Sequence, residues 1–164
     1  MLINCDLGEC LIPNPDADIM SLIDMANIAC GGHAGDDESM VKTIKLAKEN
    51  NVKIGVHPSY EDQANFGRVS YQLNDDELYD LVYQQVSHFQ KLCHNNSVSL
   101  EYVKPHGALY HDMMEKPLVL DVICRVIKAV DENLKLVVQA GVKNFGNNKN
   151  VTFLHEVFAD RGYN

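Results

Sequence analysis

Short apolar runs alternate along this chain with longer stretches whose apolar residues recur every three or four positions. The runs cover residues 2–5, 26–30, 53–56, 102–103, 136–138 and 153–158. Each is too short for a helix and is bounded by Gly, Pro, Asn or Asp, which reads as a buried strand. Helical spacing fills three of the intervals. Val41, Ile44 and Ala47 form one stripe, and Leu78, Leu81, Val82, Phe89 and Leu92 a second. Val119, Val122, Ile123, Val126, Ile127 and Val130 form the third. Asn74 with Glu77 three residues later supplies a capping box for the second helix, and Pro117 opens the third. Alternating strand and helix predicts right-handed crossovers and a parallel sheet.

Repeating βα units without a Gly-x-Gly-x-x-Gly turn favour a closed sheet over an open one. A full eight-unit barrel needs about 250 residues, and this chain supplies 164 residues and six strands. The expectation is one α/β domain over residues 1–164 with a parallel sheet, either a truncated version of something longer or a fold that a partner completes. Residues 146–150 read as a turn.

Composition narrows the class further. Hydrophobic residues make up 46% and charged residues 23%, with five prolines, which is globular composition. A formal net charge of −9 argues against a nucleic-acid footprint. The N-terminus lacks the basic segment and apolar run of a signal peptide, and no stretch approaches a membrane span, so a cytoplasmic protein is expected. Cys5, Cys10, Cys30, Cys93 and Cys124 are odd in number and form no Cys-x-x-Cys pair, which predicts free thiols.

Five of the six runs end in polar residues. The first gives Asn4-Cys5-Asp6-Leu7-Gly8-Glu9, and the second leads into Cys30-Gly31-Gly32-His33-Ala34-Gly35-Asp36. The third ends in His57-Pro58, with Phe66-Gly67-Arg68 in the following loop. Lys104-Pro105-His106-Gly107-Ala108-Leu109-Tyr110 follows the fourth, and Asp160-Arg161 the sixth. In a parallel α/β fold the C-terminal strand ends share one face, so these groups converge. Alone, Asp6, Glu9 and Asp36 suit helix capping, and each histidine suits a structural role. Three histidines at three strand ends beside Asp6 point instead to a site. Lys104, at the end of a buried strand, suits a developing oxyanion or a phosphate. Cys30 reads as a small buried hydrophobe. His88, His94, His111 and His155 show no ligand spacing and read as structural or surface residues. No Walker loop, Gly-x-Ser-x-Gly or His-Glu-x-x-His motif is present, and no resident metal is expected.

Taken in order, these motifs, with Glu156-Val157-Phe158-Ala159-Asp160-Arg161, resemble the LamB/YcsF family along essentially the whole chain. The resemblance implies a distorted seven-stranded β/α barrel related to glycoside hydrolases and polysaccharide deacetylases. It implies the cytoplasmic A-subunit of an ATP-dependent 5-oxoprolinase, opening 5-oxo-L-proline to L-glutamate with ATP, Mg²⁺ and two partner subunits. Members continue past Asp160-Arg161, so this chain is expected to be a truncated barrel. On that reading Asp6 or Asp36 is the general base, Lys104 stabilises developing charge, and His106 protonates the departing nitrogen. Arg68 or Arg161 holds the substrate carboxylate. Glu9, Gly31, Gly32, His33, His57, Tyr110 and Asp160 complete the substrate and nucleotide surface. Two rival readings are a zinc deacetylase, with Asp6, His33 and His57 or His106 as ligands, and a catalytically inactive remnant.

Overall fold

The computed structural model describes residues 1–141 and 150–159. Asp160, Arg161 and most of the turn read at 146–150 lie outside the described residues. Six strands run β1 (Asn4–Leu7), β2 (Met25–Ala29), β3 (Lys53–His57), β4 (Leu100–Val103), β5 (Lys135–Gln139) and β6 (Thr152–Glu156). They pair in sequence order, and every pair is parallel. The helices are α1 (Asp16–Met20), α2 (Asp37–Glu49), α3 (Asp75–Asn95), α4 (Gly107–Glu115) and α5 (Pro117–Val130).

The sheet curls into a half-barrel. In a flat sheet β1 and β6 would stand about 24 Å apart, five steps of about 4.8 Å. Instead, Asn4 Nδ2 on β1 donates to Glu156 Oε2 on β6 at 3.2 Å. The parallel architecture expected from the apolar pattern is therefore the one observed.

Strand periodicity divides the side chains between two faces. Outward, Ile28, Ile54, Val56, Val103, Leu136 and Val138 pack under the helices in one large apolar cluster. Inward, Met25, Tyr102 and Val137 form a smaller apolar layer, with Leu154 against it. Above that layer, toward the C-terminal strand ends, the inward positions turn polar. This layering is that of a barrel interior, filled below and chemical above.

The expected caps are present. Asn74 and Glu77 close a capping box on α3, and Pro117 begins α5. Two strand limits differ from the apolar runs. Leu2 and Ile3 are exposed and β1 starts at Asn4, where pairing to Met25 begins. β6 ends at Glu156, leaving Val157 exposed. Pairing, not hydrophobicity, sets where an edge strand begins and stops. Helix α4 had no apolar stripe to announce it. Ala108, Leu109, Tyr110, Asp112 and Met113 are all buried, so it is covered on most sides.

Candidate active site

The polar layer is one hydrogen-bonded assembly. Tyr102 on β4 donates its hydroxyl to Asn27 Oδ1 at 2.8 Å. Asn27 Nδ2 in turn donates to Asp6 Oδ1 and Asn4 Oδ1, both at 2.7 Å. Lys104 Nζ donates to Asn4 Oδ1 at 2.9 Å and reaches Asp6 Oδ1 at 3.3 Å and Glu156 Oε2 at 3.2 Å. The Lys104 and Glu156 side chains are only 7% and 6% exposed, so this is a buried ion pair. Gly55 makes room for the Tyr102 ring. A Cβ at that position would lie 2.1 Å from Tyr102 Cε2.

Beside the assembly stand three histidines. His57, ending β3, places Nδ1 against the Lys104 carbonyl and Nε2 3.4 Å from Asp6 Oδ2. His106, the residue before α4, sets Nδ1 3.0 Å from His57 Nε2, while its Nε2 meets the Phe66 carbonyl at 2.9 Å. His33 stacks on His106 with ring centroids 3.7 Å apart. Its Nδ1 lies 3.1 Å from Ser59 Oγ and its Nε2 3.2 Å from Glu9 Oε1. Gly67, at φ +65°, lets the 66–68 loop press on these rings. A Cβ there would come within 2.8 Å of His33 Cβ.

Burial pushes the Asp6 carboxyl up, but His57, Lys104 and Asn27 together hold it well below the usual carboxylate range. Asp6 therefore carries a fixed negative charge beside Lys104 and His57. Burial, reinforced by His57 and His33, brings His106 down to about 3. Burial also lowers His33. Both rings are neutral at physiological pH. His106 in that state has one N–H, and it points at the Phe66 carbonyl, which leaves no proton directed at a leaving group.

A cleft of about 530 Å³ opens over this assembly. Asp6, His57, Arg68, Lys104, His106 and Tyr110 line it, six of the residues picked out by sequence. Glu9 and His33 stand directly behind the lining, through the stacked rings. Gly31 and Gly32 form the turn after β2, where Gly31 N–H is bonded to the Ala34 carbonyl at 2.8 Å. Asp36 is elsewhere. It is solvent-facing, is not part of the cleft, and caps α2 by accepting from Ser39 N–H at 2.8 Å. Cys30 is buried, its thiol is pushed far up by desolvation, and it sits 3.4 Å from Gln85 Oε1. That is a packing residue and not a thiolate nucleophile.

Sequence reasoning passed over Asn4, Asn27 and Glu156, which hold the cation and carboxylate in place. Each is a polar side chain at an inward position of a strand, and that was the available signal. It also passed over Ser70 and Asp112 on the cleft wall, and read His111, which lines the cleft, as structural or surface.

Comparison with known proteins bears on what this cleft does. A model of the LamB/YcsF family matches residues 1–164. A protein of Pseudomonas fluorescens, named as the A-subunit of 5-oxoprolinase, is 44% identical over 171 residues, covering 99% of this chain and 68% of the relative. One of the same name from Vibrio cholerae is 42% identical over 169 residues, covering 98% and 68%. The crystal structure of the lactam utilization protein from Thermus thermophilus superposes with a TM-score of 0.93 at 31% identity. It is matched over 99% of this chain and 68% of its own.

Proposed function

This chain belongs to the LamB/YcsF family, and on that premise we propose that it hydrolyses the lactam amide of 5-oxo-L-proline as the A-subunit of an ATP-dependent 5-oxoprolinase. The observation that carries the proposal is the composition of the cleft. Arg68 lies against Phe66 and, among the described residues, has no carboxylate partner. It shares the cleft with Asp6, His57, Lys104 and His106. A small substrate carrying one carboxylate and one cyclic amide suits that combination. The guanidinium grips the carboxylate by paired hydrogen bonds, and the amide lies over the polar strand ends.

In the proposed reaction the γ-phosphoryl of ATP passes to the lactam oxygen and ADP leaves. Water then adds its hydroxyl to the lactam carbonyl carbon, the ring C–N bond breaks, the nitrogen takes the proton, and a second water cleaves the resulting acyl phosphate to glutamate and phosphate. Lys104, held rigidly by Asn4 and Glu156, is placed to stabilise negative charge on the carbonyl oxygen. Asp6 orients Lys104 and His57. Asp36, in its capping position, takes no part.

A triphosphate is a poor fit to the described part of the cleft. Among the described residues the cleft offers one ammonium, Lys104, already shared with Asp6 and Glu156, beside the Arg68 guanidinium. That pair suits a single developing charge and a carboxylate rather than the several charges of a triphosphate, and the Gly31 amide is bonded within its own turn. We therefore assign phosphoryl transfer from ATP and Mg²⁺ to the two partner subunits, and amide cleavage to this chain. The test combines the chain with those two subunits, ATP and 5-oxo-L-proline, and measures glutamate release. The proposal predicts ATP-dependent release that falls by about 10²-fold in Lys104→Met, the scale of a lost oxyanion donor. Near-normal release by folded Lys104→Met refutes the role of Lys104. No release from a mixture that works with a full-length relative refutes the proposal.

A further inference from the structure

Contacts with two backbone carbonyls fix where two of the three histidines carry a proton, and the result is electrostatically unbalanced. A carbonyl can only accept, so His57, bonded to the Lys104 carbonyl through Nδ1, carries its proton there. His106, bonded to the Phe66 carbonyl through Nε2, carries its proton on Nε2. The nitrogens left over, His57 Nε2 and His106 Nδ1, face each other at 3.0 Å, with Asp6 Oδ2 3.4 Å from the former, so a proton or a metal ion must sit between them. His33 stands beside them, its Nδ1 3.1 Å from Ser59 Oγ, a hydroxyl able to donate or accept, and its Nε2 3.2 Å from Glu9 Oε1.

Around that contact the three imidazoles crowd together, with ring centroids 3.7–5.4 Å apart. One divalent cation relieves the His57–His106 contact and also faces Glu9. One ligand atom from each of Glu9, His33, His57 and His106 lies within 4.8 Å of the other three. Each imidazole also has its other nitrogen held by a carbonyl or hydroxyl, the arrangement that orients metal-ligating histidines.

We propose that Glu9, His33, His57 and His106 form a binding site for one divalent transition-metal ion of the zinc class. Three imidazole nitrogens and one carboxylate oxygen suit zinc, cobalt or a neighbouring first-row ion, and do not suit magnesium or calcium. Coordination requires the stacked His33 and His106 rings to splay, so that each nitrogen meets the ion in its own ring plane. His57 and His106 line the cleft, so the ion faces it, where such an ion polarises water or a carbonyl oxygen. The site stands independently of the proposed substrate and departs from the sequence expectation of no resident metal. The spacing of the four residues, 24, 24 and 49 positions apart, matches no linear motif.

The test uses the chain as purified without chelator, then stripped and dialysed against Zn²⁺, Co²⁺ or Mn²⁺ separately. Elemental analysis is expected to find one ion per chain for zinc and cobalt. The cobalt form is expected to show the intense visible bands of low-coordinate Co²⁺. Zinc affinity should fall by roughly 10- to 100-fold in Ser59→Ala, which removes only the anchor of His33. It should fall further in His57→Ala and remain unchanged in the surface variant His88→Gln. Thermal melting of the unmodified chain with and without zinc gives a reading that needs no variant, and a rise is expected. Failure of the folded, unmodified chain to take up any of the three ions overturns the proposal. So does uptake that His57→Ala leaves undiminished. Neither result depends on whether the chain acts on lactams.

Discussion

Replacing Lys104 by Met removes the one ammonium that sits between Glu156 and Asp6 and leaves Glu156 stranded. The Glu156 side chain is 6% exposed. Among the described residues its remaining contact is the Asn4 amide at 3.2 Å, which does not balance a full charge. Breaking a buried ion pair from one side costs about 3–5 kcal/mol. For a chain of this size each kcal/mol lowers the melting temperature by about 2–4 °C, so a fall of about 6–20 °C is expected. Glu156→Gln alone strands the cation less severely, because Asp6 and Asn4 still hold it. The double variant removes the charge that the first substitution left behind. Its cost should therefore be smaller than the sum of the two single costs by about 2 kcal/mol. The assay is urea unfolding followed by circular dichroism on all four proteins of the cycle. Additive costs, agreeing within about 0.5 kcal/mol, would refute the claim that Lys104 and Glu156 form one buried, mutually dependent pair.

Gly55→Ala should destabilise by about 2 kcal/mol, because its Cβ meets the Tyr102 ring at 2.1 Å and overpacked cores lose about 1–3 kcal/mol. Urea unfolding measures this, and a neutral result would mean the ring moves freely. Asp112 accepts from Tyr60 and Ser70 and pairs with Lys116. Burial raises its carboxyl, but these partners hold it below the usual range. A depressed carboxyl contributes stability that is complete above the unfolded value of about 3.9 and is lost as pH falls through the folded value. Between about pH 5 and about pH 2 the unmodified chain should thus lose more stability than Asp112→Asn, and equal losses would count against the clamp. All five cysteines are free, Cys10 is exposed, and Cys30, Cys93 and Cys124 are buried. A thiol reagent should label Cys10 fast and these three only after denaturation, while fast labelling of Cys93 would contradict its packing.

Much of this was legible because period and position carry it. The alternation of short apolar runs with helical stripes is a local pattern, and parallel order follows from it. The clustering of Asp6, His57, Lys104 and His106 followed from one topological rule about strand ends. Asp36 misled because its type and place after the glycine turn suit a catalytic base, while Ser39, three residues on, makes it a cap. Glu156 escaped because the expectation of a closed sheet does not say how tightly six strands curl. Only that curvature brings β6 across to β1 and gives Lys104 its partner. The lone-pair conflict among the histidines was equally hidden. It depends on which carbonyl each outer nitrogen meets, and the Phe66 and Lys104 carbonyls are supplied by remote loops and strand ends.

In the proposed binding mode 5-oxo-L-proline sits in this cleft, gripped by Arg68 with its amide over the histidines. Titrating the ¹⁵N-histidine-labelled chain with 5-oxo-L-proline reads this directly from the imidazole resonances. Saturable shifts are expected at His57 and His106 and none at the surface residues His88 and His94. Arg68→Ala should weaken the affinity by about tenfold or more, the worth of a charged hydrogen-bonded grip. Unmoved His57 and His106 signals at saturating lactam, or unchanged affinity in Arg68→Ala, would contradict it.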